Sequence, residues 1–213
     1  MKNHPKIIGK KTVFIDRTVK FGRNVTIYPN NTIVGNTVIG DNVVIYPFNF
    51  IKDSVIKDDC EIMRSHIEES IVENNVSVGP FARLRPKSHI LSEAKIGNFV
   101  EVKNSVVGKR TKAGHLAYIG DADIEADCNI GCGVIFCNYN GKEKNRSMVG
   151  AGSFIGSNSN IIAPVNIGKN TYICAGTTLT KDTTDCDFVI GRARETIKPG
   201  YAKKYIKVEN NRG

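Results

Sequence analysis

An aliphatic or aromatic residue returns every six positions through most of the chain, a pattern that no α-helix of period 3.6 can satisfy. Ile15, Phe21, Ile27, Ile33, Ile39, Ile45 and Ile51 open the series. It resumes at Ile56 and Ile62, runs through Val78, Leu84, Ile90, Ile96 and Val102, and then through Val107, Ala113 and Ile119. After a five-residue step it continues at Ile124, Ile130 and Phe136, and a last block holds Val149, Ile155, Ile161, Ile167, Ile173 and Leu179. Glycine often follows the aliphatic residue, as in IGDNVV, IGNFVE and IGKNTY. Glycine or asparagine there tolerates the corner between short strands. The repeat predicts an all-β parallel β-helix, a solenoid that buries its core only by stacking coils.

Two stretches break the register. NYNGKEKNRS, residues 138–147, is polar and contains glycine, so it is expected to project as a loop. The expected organisation is therefore one β-helix over 1–185 with that loop, followed by a polar, basic tail over 186–213 with at most a short helix. A chain of 213 residues suits one such unit.

Charge narrows the partners. The chain has 30 Lys plus Arg against 21 Asp plus Glu, a net +9. That suits nucleic acid, an anionic membrane or a small anionic substrate. The absence of Trp, the sparse aromatics and the scattered positive charge argue against a stacking platform for nucleic acid. The opening MKNHPKIIGKK has no apolar signal core, and no apolar run is long enough to cross a bilayer, so a cytoplasmic protein without a membrane partner is expected. Cys60, Cys128, Cys132, Cys137, Cys174 and Cys186 fit a reducing compartment. The Cys128, Cys132, Cys137 cluster lacks a Cys-x-x-Cys hook, and small buried thiols are expected rather than a metal site.

From Val78 onward the sequence resembles the acetyltransferase half of the bifunctional bacterial N-acetylglucosamine-1-phosphate uridyltransferase/glucosamine-1-phosphate N-acetyltransferase family. The resemblance rests on VGPFARLRP, IGNFVEVKNS, KAGHLAYIGDADI, CNIGCGVIFCNYNGK, FIGSNSNIIAPVNIG and AGTTLTKD. It implies a left-handed β-helix with three hexads per coil, a homotrimer with active sites between subunits, and acetyl-CoA as co-substrate with no metal. The family's nucleotidyltransferase half is expected to be absent, because hexads begin within the first fifteen residues.

With three hexads per coil, residues eighteen apart stack in columns about 4.8 Å apart. Arg85 and Lys103 then stack as two cations, which suits a phosphate between them. His115 is third in its hexad and is expected beside Cys132. Ser157 and Ala175 share a column, and Asn138 is expected in it once the loop is treated as an insertion. The resemblance implies that His115 is the general base, with Glu101 as a candidate orienter. It implies that Arg85, Lys103, Tyr118, Asn129 and Lys144 bind the sugar phosphate. It also implies that Cys132, Asn138, Tyr139, Ser157, Ala175 and Arg192 bind acetyl-CoA, with the backbone N–H near Cys132 as oxyanion donor.

Ala175 is expected on the order of 15–20 Å along the axis from His115. An open groove of that length on one prism leaves a thioester wet, so a neighbouring subunit is expected to close it. Complementation between His115→Ala and Ser157→Trp chains is expected if the two residues serve one site from different subunits. Two alternatives stay open at this point: acetylation of another amino sugar or sugar nucleotide, and a non-catalytic trimeric β-helix module. A three-histidine metal site is disfavoured, since His4, His66, His89 and His115 do not stack in one column.

Overall fold

The structure, a computed structural model, describes residues 4–206. Short parallel strands wind into a left-handed β-helix of about 10 turns with three faces. The first face runs from Lys6–Ile7 to Phe188–Val189 and stacks Ile27, Ile45, Ile62, Val78, Ile96, Ala113, Ile130, Ile155 and Ile173. The second begins at Phe14–Ile15 and stacks Ile33, Ile51, Ile67, Leu84, Val102 and Ile119, then Phe136, Ile161 and Leu179. The third begins at Lys20–Phe21 and stacks Ile39, Ile56, Val72, Ile90, Val107, Ile124, Val149 and Ile167. From Ile27 onward these side chains point inward and are buried. Each buried isoleucine contributes roughly 1.5–3 kcal/mol of burial free energy.

Two strands are unlike the rest. Lys95–Lys103 and Lys112–Gly120 each run for nine residues around the corner between the first and second faces, and join those faces into one sheet. His115 sits on that bend.

The structure departs from the sequence reading in three places. Ile67 and Val72 belong to the core, carried by five-residue steps that interrupt the strict period of six. Phe188–Val189 pairs with Tyr172–Ile173, so coiling reaches residue 189 instead of ending at 185. Only part of the expected tail lies within the described residues, and it contains the short 3-10 helix Tyr201–Lys204. Finally, the six thiols are free, but only Cys60, Cys128 and Cys174 are buried; Cys132 and Cys137 are half-buried and Cys186 is exposed.

Candidate active site

Ala113 pairs with Ile130, Ile130 with Ile155, and Ile155 with Ile173. Two residues further along each hexad, His115, Cys132, Ser157 and Ala175 therefore stack on successive coils. Ala175 stands three coils from His115, about 14 Å. Arg192 reaches back over the last coil and donates from Nη1 to the Ala175 carbonyl at 2.8 Å. His115, Asn129, Cys132 and Ser157 line one cleft of about 620 Å³ together with Asn98, which pairs with His115 on the preceding coil. Close approach requires glycine at two positions along this column: a Cβ on Gly131 would lie 2.6 Å from the Ser157 nitrogen, and one on Gly156 2.4 Å from that of Ala175. A larger hollow of about 740 Å³, lined by Ile7, Ile15 and Phe21, lies over the half-buried first coils and carries none of the candidate residues.

The cleft holds a polar group free to act. Among the described residues the Cys132 N–H donates no hydrogen bond, while the Cys132 carbonyl accepts one from Asn158 at 2.8 Å. His115 is exposed and its ring likewise makes no hydrogen bond among the described residues.

The second face carries the charge. Leu84 pairs with Val102, which places Arg85 beside Lys103, and Lys103 pairs with Gly120 on the next coil. Gly120 makes room for Tyr118, because a Cβ there would lie 2.5 Å from the tyrosine hydroxyl. Lys144, on the projecting loop, comes close enough for the Lys103 ammonium to push its pKa down; Arg85 adds to that repulsion and Asp121 opposes it. Arg85 donates to Glu101 at 2.9 Å, and Lys103 to Asp121 at 3.2 Å.

Two expectations are corrected. Glu101 shares no hydrogen bond with His115 among the described residues; it pairs in register with Tyr118 and spends a carboxylate oxygen on Arg85. Asn138 is not in the Ser157 and Ala175 column. It follows Phe136 and Cys137 on the second face, where its side chain is buried against Asp121 at the next corner. Tyr139 is exposed beside it, bridging to Lys144 at the foot of the loop. The structure thus gathers His115, Asn129, Cys132, Ser157, Ala175 and Arg192 along one face, and Arg85, Glu101, Lys103, Tyr118, Asn138, Tyr139 and Lys144 along the next. Asn98 and Asp121 were not among the expected site residues. Both hold the third position of their hexads, as His115 does, and a column assignment with the five-residue steps included finds them.

The corner between the two faces carries an apolar ridge. Phe48, Phe81, Phe99 and Leu116 stand there exposed, each with a left-handed backbone (φ 67°, 59°, 57° and 41°) that bulky side chains rarely adopt. Phe81 stacks on Phe99 at 5.5 Å, and the Arg64 guanidinium lies over both Phe48 and Phe81.

Comparison with known proteins bears on the family and the fold. The family described as bacterial transferase hexapeptide (six repeats) matches residues 18–53 and 146–181, and the GlmU-like, C-terminal hexapeptide family matches residues 48–132. The chain is 45% identical over 204 residues to the bifunctional protein GlmU of Clostridium kluyveri, covering 96% of this chain and 45% of that protein. It is 49% identical over 197 residues to the bifunctional protein GlmU of Thermosipho africanus, covering 92% and 44%. The chain therefore spans a little under half the length of these relatives. A solved structure of Arabidopsis UDP-N-acetylglucosamine acyltransferase shares the fold with a TM-score of 0.63 at 13% identity, over 82% of this chain and 68% of that one. By its repeat, its coil geometry and these matches, the chain belongs to the hexapeptide-repeat transferases, among the GlmU-like C-terminal hexapeptide proteins.

Proposed function

We propose that the protein transfers an acetyl group from acetyl-CoA to the 2-amino group of glucosamine-1-phosphate, yielding N-acetylglucosamine-1-phosphate for UDP-N-acetylglucosamine and cell-wall precursor synthesis in the cytoplasm. One observation carries the reading: Arg85 and Lys103 stand side by side on adjacent coils of the second face, and Lys144 comes close enough for both to lower its pKa. Glu101 and Asp121 offset two of these three positive charges, and a sugar phosphate supplies the anion that the remaining positive charge attracts.

The amine must be unprotonated to attack, and it sheds a proton as the new C–N bond forms. A ring nitrogen of His115 takes that proton. The thioester carbonyl becomes an oxyanion, for which the unengaged Cys132 N–H is the donor. Collapse breaks the C–S bond and releases coenzyme A. Asn98, in register with His115, is better placed than Glu101 to orient the imidazole. The column Cys132, Ser157, Ala175 forms the floor of a groove for the pantetheine arm, with Arg192 at its far end for the coenzyme A phosphates.

The site is shared in a homotrimer. Asn138, Tyr139 and Lys144 follow the second face and lie outside the His115 column of the same chain, a placement that supports one protomer's second face meeting its neighbour's first face across the groove. The exposed Phe48, Phe81, Phe99 and Leu116 ridge at the intervening corner supports burial by that neighbour. Coiling through residue 189 makes one structural unit, with the residues beyond it as a tail. No helix among the described residues is long and apolar enough to cross a membrane.

The test is thiol release from acetyl-CoA with glucosamine-1-phosphate, glucosamine-6-phosphate or galactosamine-1-phosphate as acceptor. Release with glucosamine-1-phosphate alone is expected. Preference for another acceptor would reassign the substrate, and no release with any would favour a non-catalytic module.

A further inference from the structure

Asp121 is a 5% exposed carboxylate at the corner where the second face turns into the third, and its bonding differs from that of Asp41, Asp53 and Asp58 at other corners. Asp41, Asp53 and Asp58 each accept a backbone N–H from the coil before: Arg23 to Asp41 at 2.7 Å, Asn36 to Asp53 at 2.8 Å, Asp41 to Asp58 at 2.7 Å. Such bonds cap the corner and explain those residues as scaffold. The Asp121 carboxylate accepts no backbone N–H among the described residues. Its Oδ1 accepts from the Asn104 amide, and its Oδ2 accepts from the Lys103 ammonium and the Asn138 amide.

Its main chain completes the pattern. The Ser147 N–H donates to the Asp121 carbonyl at 3.1 Å, and the Asp121 N–H donates to the Lys103 carbonyl at 3.0 Å. Asn138 and Ser147 are the two feet of the projecting loop. The loop closes on itself through the Asn145 N–H to the Asn138 carbonyl at 2.7 Å and through the Tyr139–Lys144 bridge. One buried residue therefore grips the loop at both feet with its carboxylate and its carbonyl, and holds Lys103 with the same carboxylate oxygen that holds Asn138.

We infer that Asp121 is a positioning residue that locks the 138–147 loop to Lys103, so that Lys103 and Lys144 are presented to the sugar phosphate as one preset pair. The inference rests on the proposed sugar-phosphate site for its kinetic consequence and on geometry alone for the loop anchor. Burial by itself would disfavour the charged carboxylate; the bonds from Asn104 and Asn138 and the Lys103 ammonium outweigh it and hold the Asp121 pKa below its ordinary value. Asparagine at this position keeps the shape but loses the charge and one acceptor.

The experiment uses the full chain carrying Asp121→Asn, with Asn138→Ala as a second variant that frees one foot while leaving Asp121 intact. Hydrogen–deuterium exchange of the amides in 139–146 is expected to speed up about tenfold or more in both variants while core strands keep their protection. In Asp121→Asn the KM for glucosamine-1-phosphate is expected to rise about tenfold with kcat within about threefold, a split that general loss of structure would not give. Loop exchange unchanged in either variant would overturn the anchor. Faster loop exchange with KM unchanged and kcat lost would overturn the positioning of Lys103 and Lys144. Should the wild-type chain release no thiol, the functional reading fails on its own, and the exchange measurement still decides for or against the anchor.

Discussion

The first and second faces share one repeat, one interior and two strands that bend from one into the other, yet they offer solvent different chemistries. Along the first face the positions after each aliphatic residue are Gly97, Gly114, Gly131 and Gly156, followed at the corner by Asn98, His115, Cys132 and Ser157. This is a smooth channel with a few polar groups at its edge. The equivalent positions on the second face hold Arg85 and Lys103, and then Asn104, Asp121 and Asn138, bonded to one another and to the loop. The inward residues decide that the chain coils. The outward residues decide what each face binds, and they vary without disturbing the coil because alternate residues along a strand point to opposite sides.

The largest effect is expected from the residue on the shared corner. His115→Ala is expected to lower kcat about a hundredfold or more, the usual scale for loss of a general base, with an unchanged melting temperature because the side chain is exposed. Near-normal turnover in steady-state assays would remove His115 from the chemistry and with it the distinction drawn for the first face.

A smaller and opposite pair of effects separates the faces. Arg85→Ala and Lys103→Ala are expected to raise the KM for the sugar phosphate about tenfold each, the worth of a charge-assisted bond, and to leave that for acetyl-CoA nearly unchanged. Ser157→Trp, which fills the first-face groove, is expected to do the reverse. Equal effects on both substrates from either set would erase the division of labour.

The smallest effect is a titration. In the free protein Lys103 pushes the Lys144 amine toward its neutral form, so its pKa is lowered. A bound phosphate dianion is expected to raise it again, which would slow modification of Lys144 by an amine-selective reagent at alkaline pH. Equal labelling with and without glucosamine-1-phosphate would place Lys144 away from the phosphate.

The β-helix was legible in the sequence because a period of six admits few other structures, and the pairing of Arg85 with Lys103 and of His115 with Cys132 followed from counting hexads. Asn138 went wrong for the same reason that the count worked elsewhere: the loop inserts residues within one coil, and assigning it to the wrong corner moved Asn138 by one face. Ile67 and Val72 were hidden by consecutive five-residue steps, which keep the corner geometry while breaking the period. The Arg85–Glu101 pair was not legible because two outward neighbours on adjacent coils choose their partners through side-chain conformation, about which spacing says nothing. The placement of His115 and Ser157 in one cleft of one chain also changes which two variants should complement each other, from His115 with Ser157 to one residue from each face.

That complementation is the most direct test of a site shared between faces. Chains carrying Lys103→Ala alone and Ser157→Trp alone are each expected to keep about a tenth of wild-type activity at substrate concentrations well below KM. In a cyclic trimer holding both kinds, one of the three interfaces joins an intact second face to an intact first face, so purified mixed trimers are expected to regain about one third of wild-type activity. Verified mixed trimers that remain no more active than either parent would show that Lys103 and Ser157 serve a site on the same chain, and would contradict the account.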